Sequence, residues 1–237
     1  MAKPFHFKQF TVHQDRCAMK IGTDGVLLGA WASLQTGPES ILDIGAGTGV
    51  IALMLAQRSA AKTIDAIELD EAAYQQCFEN FEISSWADRL FCYHAGLDEF
   101  VAEIEEPYDL IVSNPPFYSE AVASGNHARD TARQNRSLPF EELLDGVSKL
   151  LSTDGLFATI IPFKEEEAFA RSASKLGLYL NHRMWVRGNP SSEIKRSLLQ
   201  FGPKRTSVAE SELTIEVKRG ECTLEYQELT KAFYLKM

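Results

Sequence analysis

The sequence predicts an α/β fold: a mostly parallel sheet with helices on both faces. Three observations carry that expectation. From Ser40 onward, short apolar runs rich in β-branched residues alternate with segments of helical apolar spacing. The first run, Ile41–Ile44, leads directly into Gly45-Ala46-Gly47-Thr48-Gly49. The fourth, Asp109–Ser113, stops on Asn114-Pro115-Pro116-Phe117. Alternation of this kind gives parallel strands, because right-handed crossovers return each strand in the same sense and lay the helices on the sheet's faces.

Taken in order, Phe5–Trp31 is mixed: a short arm with phenylalanines at 5, 7 and 10 leads into a helix expected to be capped by Thr23 or Asp24. Ile41–Ile44 is a strand and Val50–Arg58 a helix. Thr63–Glu68 is a strand ending on an acid, Glu71–Ile83 a helix, Leu90–Tyr93 a strand, and Asp98–Glu105 a short helix. After the strand Asp109–Ser113, Ser119–Ser137 is polar and without periodicity and reads as a long loop, which in a compact domain is usually functional or mobile. Phe140–Leu151 and Glu165–Leu176 read as helices, Gly155–Pro162, Tyr179–Val186, Ser197–Phe201 and Leu213–Val217 as strands, and Glu225–Leu235 as a closing helix.

A chain of 237 residues with 45% hydrophobic content suits a single domain with a sizeable core. Residues 1–38 form the arm and a helix covering a cofactor site, and 39–237 the core. No run of eighteen apolar residues occurs and the N-terminus lacks a signal-peptide core, so the expected location is cytoplasmic, away from membranes. Cys17, Cys77, Cys92 and Cys222 are scattered with no C-x-x-C pair, which argues against a metal site or a disulfide framework. A monomer is expected. The net charge of −9 divides unevenly, as −10 over residues 1–113 and +1 over 114–237. Residues 171–205 carry a local +7, from Arg171, Lys175, Arg183, Arg187, Lys195, Arg196, Lys204 and Arg205 against Glu193. Screening confines charge effects to about 10 Å at ordinary salt, so a basic region on an acidic chain can still hold a polyanion. The plain alternative is a set of solvated faces.

The glycines after the first strand fall at 45, 47 and 49, with Val at 50, so the G-x-G-x-x-G dinucleotide spacing fails. Glycines at alternate positions instead let backbone approach a ligand with no Cβ in the way. Glu68 ends the next strand, 19 residues beyond Gly49, where a carboxylate can chelate a ribose diol. Asp43-x-Gly45-x-Gly47-x-Gly49 with Glu68 resembles the class I S-adenosylmethionine (SAM)-dependent methyltransferases. That resemblance implies their Rossmann-like fold, with a mostly parallel seven-stranded sheet. It implies SAM held by Asp43, Gly45, Gly47, Gly49, Glu68 and Leu69. In Ala95-Gly96-Leu97-Asp98 a glycine stands where relatives commonly have the aspartate that contacts adenine, leaving Asp98 as the substitute.

Two prolines cannot continue a central strand, and the residue before a proline is held extended. Asn114-Pro115-Pro116-Phe117 is therefore a rigid lip at a strand's carboxyl end. The Asn114 amide oxygen and the Pro115 carbonyl can accept both hydrogens of an exocyclic amine, and Phe117 can stack on its ring. The plain alternative is a Pro-rich turn after a core strand. N-P-P-F resembles the motif of amino-group methyltransferases acting on adenine, guanine or glutamine. An aromatic amine is a poor nucleophile; two acceptors turn its lone pair outward and stabilise the charge that develops on nitrogen.

Further blocks narrow the resemblance. Phe7-Lys8-Gln9-Phe10, Arg16-Cys17-Ala18-Met19-Lys20, Gly22-Thr23-Asp24-Gly25, Leu27–Ala32, Leu53–Arg58 and Ala232–Leu235 are similar to the bacterial valine-tRNA adenine-37 N6-methyltransferases over nearly the whole chain. That implies methyl transfer to N6 of the adenine beside the anticodon of a valine tRNA. It also implies that Lys20, Thr23 and Asp24 close over the methionine part of SAM. Phe117 or Tyr118 would stack on the flipped base, and Arg129, Arg133, Arg136, Arg187, Lys195 and Arg196 would hold tRNA phosphates. Guanine-N2 methylation of ribosomal RNA and glutamine-N5 methylation of a protein are the competing readings.

Overall fold

The computed structural model describes residues 3–116 and 138–236. The arm forms an antiparallel pair, β1 (Phe5–His6) and β2 (Thr11–Val12). It is pinned to the C-terminus by Lys8 N–H on the Phe233 carbonyl (2.8 Å), and the Phe7 ring stacks on Phe10 (4.6 Å) and Tyr234 (6.0 Å). The helices are α1 (Thr23–Trp31), α2 (Val50–Arg58), α3 (Glu71–Glu82), α4 (Leu97–Glu103), α5 (Phe140–Leu150), α6 (Glu166–Lys175) and α7 (Leu224–Thr230). The main sheet contains β3 (Ser40–Ile44), β4 (Thr63–Glu68), β5 (Leu90–His94), β6 (Tyr108–Ser113), β7 (Leu151–Pro162), β8 (Tyr179–Arg187), β9 (Ile194–Gly202) and β10 (Ala209–Thr214). A small hairpin, β11 (Glu216–Lys218) with β12 (Glu221–Cys222), precedes α7.

The strand order is β10-β8-β9-β7-β6-β3-β4-β5. All neighbours are parallel except β9, which runs antiparallel between β7 and β8. The mostly parallel sheet with helices on both faces is as expected, with eight strands where the resemblance implied seven. The additional strand is β10. It lies parallel on β8, with Leu213 buried, and Glu210 and Glu212 pair with Arg183 and Arg187 of β8. The sequence places a strand at Leu213–Val217; the pairing instead ends at Thr214, after which the chain turns into β11.

Two apolar layers sandwich the sheet. Ile41, Ala158 and Ile160 face a layer with Leu27, Leu28, Ile51, Met54 and Leu55 of α1 and α2. Their strand neighbours Leu42, Ile44, Phe157 and Ile161 face Leu143, Leu144, Val147 and Phe169 of α5 and α6. Burial on both faces is why these strands read as unbroken apolar runs rather than as alternation. β7 begins at Leu151, before the expected Gly155: that glycine lies mid-strand, where an added Cβ would stand 2.9 Å from the Tyr108 carbonyl of β6.

Candidate functional site

β3 has β4 on one side and β6 on the other, so the order of the chain reverses there. In an open parallel sheet a ligand crevice forms outside the carboxyl ends at such a point. The two strand ends are tied together, the Ser113 hydroxyl donating to the Ile44 carbonyl at 2.9 Å. From these ends emerge the two motifs, the glycine turn 45–49 and Asn114-Pro115-Pro116.

Gly45, Gly47 and Gly49 all have left-handed φ, at 73°, 58° and 77°. At 45 and 47 an added Cβ would meet nothing within 4 Å, so the turn presents bare backbone to open space. At 49 the reason for glycine is packing, since a Cβ would lie 2.6 Å from Phe81 Cε1 and 2.8 Å from Cys77 Sγ. Glu68 braces the turn: Oε2 accepts the Gly47 N–H (2.8 Å) and Oε1 the Asp70 N–H (2.9 Å). Beneath it Asp43 is fully buried. Its Oδ2 accepts the Ala52 N–H (3.2 Å), and Oδ1 has no partner among the described residues. Burial, with Glu68 adding to it against the Ala52 hydrogen bond, pushes the Asp43 carboxyl up to about 7.

Leu69 is 56% exposed beside a cavity of about 400 Å³ lined by Glu68, Leu69, Asp70, Glu71, Ala72 and His94. Asp98 sits in the first turn of α4 with its carboxylate folded over Gly96, where an added Cβ would be 2.7 Å from Oδ1. A cradle of bare backbone, an orphaned buried carboxylate oxygen and an acid-lined cavity at the second strand's end suit a ligand with a cationic amino-acid end and a ribose. They fit the cofactor the sequence implies.

Asn114 is half-buried, and among the described residues its amide makes no hydrogen bond. Pro115 is buried and Pro116 half-buried. The N-terminus of α1 packs beside Asn114, an added Cβ on Gly25 lying 3.9 Å from Nδ2. That helix starts on Gly22 with no side-chain cap; Asp24 instead receives the Arg196 Nε at 2.9 Å. Thr23 is exposed at its first position. Lys20 donates to the carbonyls of Gln14 (2.5 Å) and Cys17 (2.8 Å), which folds the loop leading to α1.

The structure thus brings Thr23, Asp24, Asp43, Gly45, Gly47, Gly49, Glu68, Leu69, Asp98 and Asn114 to the carboxyl end of the sheet. It deals differently with the basic region. Arg183 pairs with Glu166 and Glu210, Arg187 with Glu212, Arg196 with Asp24, Arg171 with Glu167 and Lys204 with Asp154. Acids, all but Glu167 distant in sequence, therefore pair with five of the eight basic residues of that region. Lys195, next to Arg196 at the start of β9, is exposed and without an ion pair among the described residues. Phe117, Tyr118, Arg129, Arg133 and Arg136 lie outside the described residues. Sequence reasoning missed Gln76 and Asn80 of α3, which hold the arm to the site. Their signal was two polar side chains on an otherwise apolar helical stripe.

Among the described residues no group of three or more His, Cys, Asp or Glu could hold a metal, and no helix is long and apolar enough to cross a membrane.

Residues 25–138 match the family model described as the methyltransferase small domain. A protein of Flavobacterium johnsoniae named tRNA1(Val) (adenine(37)-N6)-methyltransferase is 58% identical, covering 98% of this chain and 100% of its own length. A protein of the same name from Photorhabdus laumondii is 44% identical, over 98% of this chain and 95% of its own. Among solved structures, a predicted O-methyltransferase from Agrobacterium tumefaciens superposes with a TM-score of 0.68 at 15% identity, over 89% of this chain and 96% of that one. At that identity the likeness speaks for the fold alone.

Proposed function

The chain belongs to the tRNA1(Val) (adenine(37)-N6)-methyltransferase family, and we propose that it transfers a methyl group from SAM to N6 of adenine 37 in a valine tRNA. The observation that carries the reading at the site is Asn114. It stands at the switch point, on a proline-stiffened strand end, with no hydrogen bond to its amide among the described residues, beside the N-terminus of α1 and next to the glycine turn.

When bound, SAM supplies a sulfonium methyl open to in-line displacement. The chain's part is to hold and orient. Gly45 and Gly47 present bare backbone, Glu68 stands where a ribose diol can bind, and Asp43 lies beneath with its unpartnered oxygen. Asn114 Oδ1 and the Pro115 carbonyl would accept the two amino hydrogens of the adenine and so take the nitrogen lone pair out of conjugation with the ring π system, leaving it free to attack a methyl group. The same acceptors would stabilise the positive charge that develops on that nitrogen. The methylated nitrogen then gives its proton to water, so no general base is needed. Holding both partners in line supplies most of the rate. Phe117 or Tyr118 would stack on the flipped base, and Lys195 with Arg129, Arg133 and Arg136 would take phosphates. The reading carries a monomer working in the cytoplasm.

Asn114→Ala tests the assignment. Turnover should fall at least about 100-fold, as for loss of a transition-state hydrogen bond, with SAM affinity by calorimetry near wild type. Equal loss of SAM binding would move Asn114 from the amine to the cofactor.

A further inference from the structure

α3 turns Ala73, Gln76, Cys77, Asn80 and Phe81 inward, and two of these five are polar. A buried amide on an apolar stripe is costly unless its hydrogen bonds are met. Asn80 is 0% exposed and meets them with backbone from two separate segments. Its Oδ1 accepts the His13 N–H at 2.9 Å, and its Nδ2 donates to the His13 and Thr48 carbonyls, each at 2.9 Å. The orientation of the amide follows from chemistry, because an N–H on one side and two carbonyls on the other admit one placement only.

Thr48 lies between Gly47 and Gly49 in the cofactor turn, and Glu68 already holds that turn by the Gly47 N–H. Asn80 holds it from the other side and joins it to the arm. One turn of α3 earlier, Gln76 Oε1 accepts the Arg16 N–H at 3.3 Å, which ties down the next stretch of the same loop. The loop then passes Cys17, whose buried thiol is pushed up to about 11 by desolvation and by the charge of Glu68, with Lys20 opposing. It ends at Gly22, where α1 begins beside Asn114. The loop from His13 to Ile21 is thus joined to the glycine turn through Asn80 and to α3 through Gln76, and it leads into α1 beside Asn114.

We propose that Asn80 is a positioning residue for SAM, clamping this loop to the glycine turn so that the turn has its binding shape before the cofactor enters. Only an amide of this length can do it: aspartate lacks the donors, glutamine is one methylene too long, and an apolar side chain leaves three backbone groups stranded. The inference rests on the SAM-dependent reading above.

The test is calorimetric titration of SAM into the full chain, with steady-state kinetics, for wild type, Asn80→Ala and Gln76→Ala. Asn80→Ala should weaken SAM binding and raise its KM by about 10- to 100-fold, roughly the effect of losing one to two strong interactions. Its kcat at saturating SAM should stay within about three-fold, a split that general destabilisation would not produce. Gln76→Ala loosens the arm without touching the turn and should have the smaller effect on SAM. SAM affinity within two-fold of wild type in Asn80→Ala, or equal losses in both variants, would overturn the clamp. Hydrogen exchange on wild type decides the matter even if Asn80→Ala does not fold. The His13 amide should be protected without SAM and further slowed by it; exchange at the unprotected rate, unchanged by SAM, refutes the proposal. A wild-type chain that binds no SAM would remove the reading beneath it, and the clamp with it.

Discussion

Gly49→Ala is the substitution whose cost follows most directly from the geometry. Gly49 precedes α2 with φ 77° and ψ 12°, where a residue with a Cβ costs about 1–2 kcal/mol. The new methyl would lie 2.6 Å from Phe81 Cε1 and 2.8 Å from Cys77 Sγ. Both neighbours are fully buried side chains of α3 with nowhere to swing, so overpacking adds about 1–3 kcal/mol. The sum, about 2–5 kcal/mol, is a large part of the ~5–15 kcal/mol that holds an ordinary domain together. Gly47→Ala is the internal control. Its φ is 58° but its Cβ would meet nothing within 4 Å, so only the backbone cost of about 1–2 kcal/mol applies. Urea unfolding of the two variants beside wild type gives the comparison. Gly49→Ala should lose about 1–3 kcal/mol more than Gly47→Ala, while Gly47→Ala, which fills the cradle, should be the more damaged in SAM affinity relative to its stability. Equal losses from the two, or a loss under about 1 kcal/mol from Gly49→Ala, would refute this account of the turn.

Three further outcomes are expected. The Asp43 carboxyl titrates near 7 in the fold against 3.8 ordinarily, so the native state binds the extra proton in that window and stability falls as pH rises through it. The urea midpoint of Asp43→Asn should therefore gain on wild type between about pH 4 and 7, and parallel curves would contradict the burial argument. Glu166, 5% exposed, takes Arg183 (2.8 Å), the Trp185 indole N–H (2.9 Å) and the Ser197 hydroxyl (2.5 Å). Arg183→Met strands that carboxylate and should cost about 3 kcal/mol in urea unfolding; a loss within experimental error would show that the indole and hydroxyl suffice. Lys195→Ala should weaken tRNA binding and lower the slope of log affinity against log salt by about 1, and an unchanged slope would take Lys195 off the RNA.

How much of this was legible in the sequence depends on whether a feature is local. The glycine turn, Glu68 at the end of its strand and the proline-stiffened Asn114 are each specified within a few residues, by strand ends and backbone constraints that need no tertiary knowledge. Ser113 and Ile44 lie 69 residues apart, but strand order alone joins them, so the meeting of the two motifs was legible as well. Features made by long-range pairing were not. Asp24 reads as a helix cap because aspartate before an apolar run usually is one, yet it is claimed by Arg196, 172 residues away. Arg183, Arg187 and Arg196 read as an open basic surface because a charge count cannot see Glu166, Glu210, Glu212 and Asp24 folding onto them. β10 is placed a few residues late by the sequence because Ala209–Glu212 is polar and mostly exposed, lacks strand patterning, and is held by those same pairs. Asn80 left a trace, a polar residue on an apolar stripe, but the carbonyls it serves come from the arm and the glycine turn and are visible only in the fold.

The central claim is methyl transfer to a particular nitrogen, and one experiment addresses it directly: labelled SAM with unmodified valine tRNA, then nuclease mapping and mass spectrometry of the nucleosides. The account predicts N6-methyladenosine at position 37 with wild type and its near-complete loss with Asn114→Ala. Label absent from tRNA but present on ribosomal RNA or on protein glutamine would contradict it.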